Sequence, residues 1–99
     1  MKLNKKNTAS DAQSLARVLG LTPAQGQEIE IRSDLNDKII ETVQKKKLTH
    51  AQVAKLCGSS RTRITALLNR NTQSISTDLM LKILVTLGVS VRVQFGRAA

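Results

Sequence analysis

The chain has 99 residues, enough for one small domain with a single aliphatic core. Lys and Arg outnumber Asp and Glu 16 to 7, for a formal net charge of +9, and an excess of that size points to a polyanionic partner. With one His, one Cys, one Phe and no Trp or Tyr, the composition speaks against a clustered metal site, an internal disulfide and aromatic stacking platforms for single strands. There is no apolar run long enough for a membrane span, no signal-peptide pattern, no phosphate-cradling glycine loop and no convergent acid, base or nucleophile. The expectation is therefore a non-enzymatic, cofactor-free, cytoplasmic, nucleoid-associated protein with no membrane partner.

Residues 1–9 are polar and basic and read as a flexible arm, and residues 10–99 read as a single domain. A first helix is expected over 10–19, where Leu15, Val18 and Leu19 share a face and Gly20 is a stop. Thr22-Pro23-Ala24-Gln25 is a helix start, with Thr22 as cap, Pro23 in the first turn and Gln25 completing a capping box. Residues 27–32 alternate as a strand would, yet Ile31, Leu35, Ile39 and Val43 recur every four residues. The longer pattern predicts a helix, with a break open at Gly26 and an end in the lysine run at Lys45 to Lys47.

From Thr49 a short helix places Val53, Leu56 and Cys57 on one face and ends at Gly58. Ser59 or Ser60 caps the next helix, whose stripe is Ile64, Leu67 and Leu68, with Asn69 and Asn71 as terminators. Ser76 and Asp78 open a last helix, striped by Leu79, Ile83 and Leu87 and stopped by Gly88. Residues 89–95 alternate apolar and polar, a strand pattern with no partner strand in the chain. Cys57 and Met80 read as core residues.

Charge is unevenly spread. Between Lys45 and Gln73 every charged residue is basic: Lys45, Lys46, Lys47, Lys55, Arg61, Arg63 and Arg70. Within that stretch lies a helix-turn-helix spacing. Counting His50 as the first position, the fifth is Ala54, small enough for two helices to cross. The ninth is Gly58, suited to positive φ, and the fifteenth is Ile64, apolar under the crossing.

Residues 48–71 resemble the Cro/Xre-type helix-turn-helix, and the likeness to small antitoxin and regulator proteins, HigA-like or HipB-like, extends over 14–95. The sequence departs from that pattern at His50, where Gln is usual, at Ser59, where Val or Ile is usual, and near Arg70 and Asn71, where Gly is usual. The resemblance implies an all-α, lambda-repressor-like bundle of about five helices, with the motif at 49–70 and a short C-terminal β-strand paired across a dimer. It also implies an autoregulatory repressor of a palindromic operator in double-stranded DNA, with a small toxin as a further partner. A basic RNA-binding or ribosome-associated protein is the alternative.

In such a docking mode the second helix of the motif lies in the major groove. Its outward positions are Ser60, Arg61, Thr62, Arg63, Thr65, Ala66 and Arg70. Arg61 is the first choice for forking onto guanine, Thr62 and Thr65 suit a base edge or a methyl group, and Ala66 suits a thymine methyl. Arg63 and Arg70 suit phosphates, as do Thr49 and His50 at a helix N-terminus. Val89, Val91, Val93 and Phe95 form the expected dimer interface, which would set two recognition helices about 34 Å apart.

Overall fold

The computed structural model describes residues 19–96. Among them are four helices and no strand: α1 (Pro23–Lys45), α2 (His50–Cys57), α3 (Arg61–Leu68) and α4 (Thr77–Thr86). The arm at 1–9 and all but Leu19 of the helix expected over 10–19 lie outside the described residues. The chain divides into two compact units, 1–34 and 35–99.

In the first unit, Gly20 takes a φ of 75°, as a residue ending a turn without a Cβ can. The start of α1 closes as its sequence predicts. The Thr22 N–H donates to Gln25 Oε1 at 2.8 Å and the Gln25 N–H donates to Thr22 Oγ1 at 3.2 Å. Residues 27–32 are helical and α1 runs unbroken through Gly26, so the four-residue spacing prevails over the local alternation. Ile29 and Ile31 are exposed. Ile31 was expected on the buried stripe, but it belongs to the first unit and the second unit's core begins only at Leu35.

The second unit is built around Leu35, Ile39 and Val43 of α1, Val53, Ala54 and Cys57 of α2, Ile64 and Leu67 of α3, and Met80, Ile83 and Leu84 of α4. Ile75, in the connection before α4, and Leu87, just after it, complete this core. α2 packs against both α3 and α4. Each of these three helices is too short to persist alone, so burial of one apolar face on the others holds them. Leu56 corrects the sequence reading, since it is 57% exposed rather than buried beside Val53 and Cys57. Successive residues turn by roughly 100°. Burying Ala54 together with Val53 and Cys57 moves the centre of the buried face away from Leu56.

Two polar side chains are buried with this core, and neither was anticipated. Thr42 Oγ1 donates to the Lys38 carbonyl one turn back at 2.7 Å. Asn36 Nδ2 donates to the Leu67 carbonyl at 2.8 Å, tying α1 to the last turn of α3.

The segment after α4 departs from the expected strand. Val89 packs on the core, and its N–H donates to the Leu84 carbonyl at 2.9 Å, closing the helix end beyond Gly88. Residues 91–96 have no regular structure, and Val93 and Phe95 are 75% and 91% exposed. A strand is stabilised by its ladder, and within one chain no described segment pairs with this one.

Candidate nucleic-acid interface

The geometry of α2, its turn and α3 follows from four local devices. Thr49 caps α2 with a reciprocal pair: its Oγ1 accepts from the Gln52 N–H at 3.1 Å, and Gln52 Oε1 accepts from the Thr49 N–H at 2.8 Å. Together these satisfy two of the backbone donors that a helix start leaves open. Gly58 ends α2 with φ 63° and ψ 34°, and the Ser59 N–H donates back to the Ala54 carbonyl at 3.0 Å. That left-handed residue turns the chain sharply enough for α3 to begin three residues later, at Arg61. Ser60, rather than Ser59, then caps α3, its Oγ accepting from the Arg63 N–H at 3.1 Å. Beneath the crossing, Ala54 and Ile64 are both buried, as their places in the motif require.

The cap geometry changes what Ser60 offers. Its oxygen accepts within the protein, leaving the hydroxyl proton to point elsewhere. Ser59 Oγ is buried and has no hydrogen-bond partner among the described residues.

The first turn of α3 presents Arg61, Thr62 and Arg63, all exposed, and neither arginine makes an ion pair among the described residues. Thr65 and Ala66, one turn on, are half-buried. Thr49 is exposed and His50 half-buried at the start of α2. His50 is engaged by the neighbouring helix, with Nδ1 and Thr65 Oγ1 sharing a hydrogen bond of 2.9 Å. The sequence reading placed both residues at the interface without anticipating this bond, because fourteen intervening residues separate a pair that only the crossing angle brings together.

Arg70 stands apart from the first turn. It takes the left-handed φ of 64° that closes α3, where Asn69 and Asn71 were the expected terminators. The Asn71 N–H reaches back to the Ala66 carbonyl at 2.8 Å and the Arg70 N–H to the Leu67 carbonyl at 3.1 Å. This end closure needs one left-handed residue and the chain supplies arginine for it. The Arg70 guanidinium pairs with the Asp37 carboxylate of α1. Arg70 therefore has an ion-pair partner among the described residues, unlike Arg61 and Arg63.

Around these residues the surface is basic. Lys45, Lys46, Lys47 and Lys55 are all exposed, and Asp37 and Glu41 of α1 pair with Arg70 and Lys38. Burial pushes the Cys57 thiol up from its ordinary value, with the positive charge of Lys82 opposing the shift. Cys57 is thus a neutral core group under the turn. Among the described residues no group of three or more His, Cys, Asp or Glu is placed to hold a metal ion, and no helix is long and apolar enough to cross a membrane.

The chain matches a family model described as a helix-turn-helix domain over residues 18–96. No curated protein and no solved structure matches it. The match spans most of the sequence and contains the whole α2–turn–α3 unit, with its small fifth position, left-handed ninth position and buried fifteenth. The chain belongs to a helix-turn-helix domain family, in keeping with its Cro/Xre-type motif, and carries the architecture of a DNA-binding regulator.

Proposed function

We propose that the protein is a sequence-specific repressor that binds a palindromic site in double-stranded DNA as a dimer. The observation that carries this reading is the first turn of α3. Arg61, Thr62 and Arg63 are exposed there on a surface whose sequence holds no acid from Thr42 to Thr77. Arg61 reads a guanine edge, Thr62, Thr65 and Ala66 meet neighbouring bases, and Arg63, Ser60, Thr49 and His50 meet the backbone. Arg70 reaches a phosphate only by leaving Asp37. Duplex DNA is favoured over RNA because Phe95 is the sole aromatic residue and lies outside the motif.

The dimer forms through residues 89–95. Val93 and Phe95 are apolar and exposed, and their backbone has no ladder among the described residues. Pairing with the same segment of a second copy covers both. A small toxin docking on that segment is a further partner suggested by the family resemblance, and autoregulation follows from the same resemblance.

Selection of random duplex DNA by the purified protein tests the reading, with Arg61→Ala as the diagnostic variant. A short inverted repeat is the expected product, and the variant should bind it about 1–3 kcal/mol more weakly with relaxed preference at one base pair. Unchanged binding by the variant would remove Arg61 from base reading. Sedimentation of Phe95→Asp as a monomer alongside a dimeric parent would support the tail pairing, and two identical profiles would refute it.

A further inference from the structure

The hydrogen bond between His50 and Thr65 joins the first residue of α2 to the middle of α3. We propose that His50 is a specificity-determining residue that fixes the hydrogen-bond polarity of Thr65, so that α3 accepts adenine or cytosine, the bases that present an exocyclic amino group in the major groove, at the base that Thr65 faces. The inference rests on α3 being the major-groove helix.

A free threonine hydroxyl is ambivalent, with one proton to donate and lone pairs to accept. It therefore discriminates poorly among base edges. At 2.9 Å from an imidazole nitrogen that ambivalence ends, because the proton between Oγ1 and Nδ1 belongs to one of them. A neutral imidazole carries its single N–H on one nitrogen and accepts on the other. Nε2 makes no hydrogen bond among the described residues. The nearby surface is basic and suited to phosphates, and of the two neutral tautomers a polyanion there favours the one whose unengaged nitrogen is the N–H donor. The N–H then sits on Nε2, Nδ1 accepts, and Thr65 gives its hydroxyl proton to His50.

What remains on Thr65 Oγ1 is a pair of acceptor sites. In the major groove, adenine N6 and cytosine N4 are donors and pair with an acceptor, whereas thymine O4 and guanine O6 and N7 are acceptors and oppose it. A base amino group, the hydroxyl and the imidazole then form one continuous chain in which each bond polarises the next. His50 need not touch a base to have this effect; it acts through Thr65.

The test compares the parent protein with His50→Ala, Thr65→Val and Thr65→Ser on the selected duplex and on duplexes with each base pair changed in turn. Circular dichroism melting confirms that each variant is folded. The parent should prefer adenine or cytosine over guanine or thymine at one position by roughly 2- to 10-fold, the range of a single net hydrogen bond. Thr65→Val should abolish that preference at that position alone, and Thr65→Ser should keep it. His50→Ala should admit guanine and thymine there while leaving preferences elsewhere intact. A His50→Ala variant that weakens every duplex by the same factor would overturn the proposal and leave His50 as a backbone contact. A preference for guanine or thymine at the Thr65 position would overturn it as well. If the parent protein itself prefers no sequence, the reading of α3 as a major-groove helix falls, and the polarity proposal with it.

Discussion

Asn36→Asp isolates the hydrogen bond that ties α1 to the C-terminal end of α3. The substitution preserves size and shape and replaces the Nδ2 donor with an oxygen. Asn36 is 4% exposed, and its donor lies 2.8 Å from the Leu67 carbonyl. At neutral pH the new side chain sets a carboxylate oxygen against a carbonyl oxygen in a buried position. The lost bond costs about 1 kcal/mol, and an uncompensated buried charge raises the total to roughly 3–5 kcal/mol. Small domains have only ~5–15 kcal/mol in hand. At about 4–8 °C per kcal/mol for a chain of this size, the melting temperature should fall by at least ~12 °C at pH 7.

The pH dependence has a definite sign. Burial disfavours the charged form, so the folded carboxyl titrates above the ~3.9 of an unfolded Asp. The variant's stability is then fully present below that value and is lost as pH rises through the folded one. In acid the protonated carboxyl also has an O–H to donate to Leu67. Thermal melts followed by circular dichroism at pH 4 and pH 7 should show the deficit shrinking in acid. Asn36→Leu is the control. The Leu67 carbonyl retains the Arg70 N–H at 3.1 Å, so its loss should stay within about 1–2 kcal/mol and vary little with pH. An Asn36→Asp variant melting within about 4 °C of the parent at pH 7, or one whose deficit does not relax in acid, would refute the tie between α1 and α3.

Two further substitutions probe the turn. Ser59→Ala removes a buried hydroxyl that has no partner and should raise the melting temperature by about 4–8 °C, corresponding to ~1 kcal/mol; a lower melting temperature would show that Ser59 Oγ is satisfied in solution. Because burial raises the Cys57 thiol, its contribution is fully present below the ordinary thiol range of about 8.5 and is lost as pH rises through the folded value. Urea unfolding at pH 7 and pH 9.5 should therefore show a larger loss of stability for the parent than for Cys57→Ala, and equal losses would contradict the burial argument.

The legible parts of the fold were those fixed over short distances. Thr22 with Gln25 and Ser76 at α4 are read correctly because a cap and its partner lie within one turn. Ala54, Gly58 and Ile64 are legible because a helix crossing imposes a small residue, a left-handed residue and an apolar residue at fixed intervals. Long-range contacts were hidden. Asn36 and Leu67 meet across thirty-one positions, and nothing but the place of Asn36 beside Leu35 and Ile39 hinted that it is buried. Ile75 sits between helices, where no periodicity marks it as core. Leu56 fits a helical stripe on spacing alone, but burial of Ala54 rotates the buried face away from it. The alternation over 89–95 reports a surface able to pair, and pairing requires a second segment that one chain does not supply.

Within the candidate site, Ser60, Arg61, Thr62, Arg63 and Arg70 are exposed, whereas Thr65 and Ala66, expected to face outward with them, are half-buried. The partners of Arg70 and Thr65 do not follow from the sequence reading. The Asp37–Arg70 pair and the His50–Thr65 bond each join different helices, and both depend on how α1 and α2 lie against α3.

The central claim, that α3 reads a specific duplex sequence, is tested most directly by equilibrium competition at physiological salt between the selected duplex and bulk genomic DNA. A selected duplex held tighter by ~10³ or more is the predicted result. Equal affinity for both, falling steeply with salt, would reduce the basic surface to an electrostatic footprint and contradict the account.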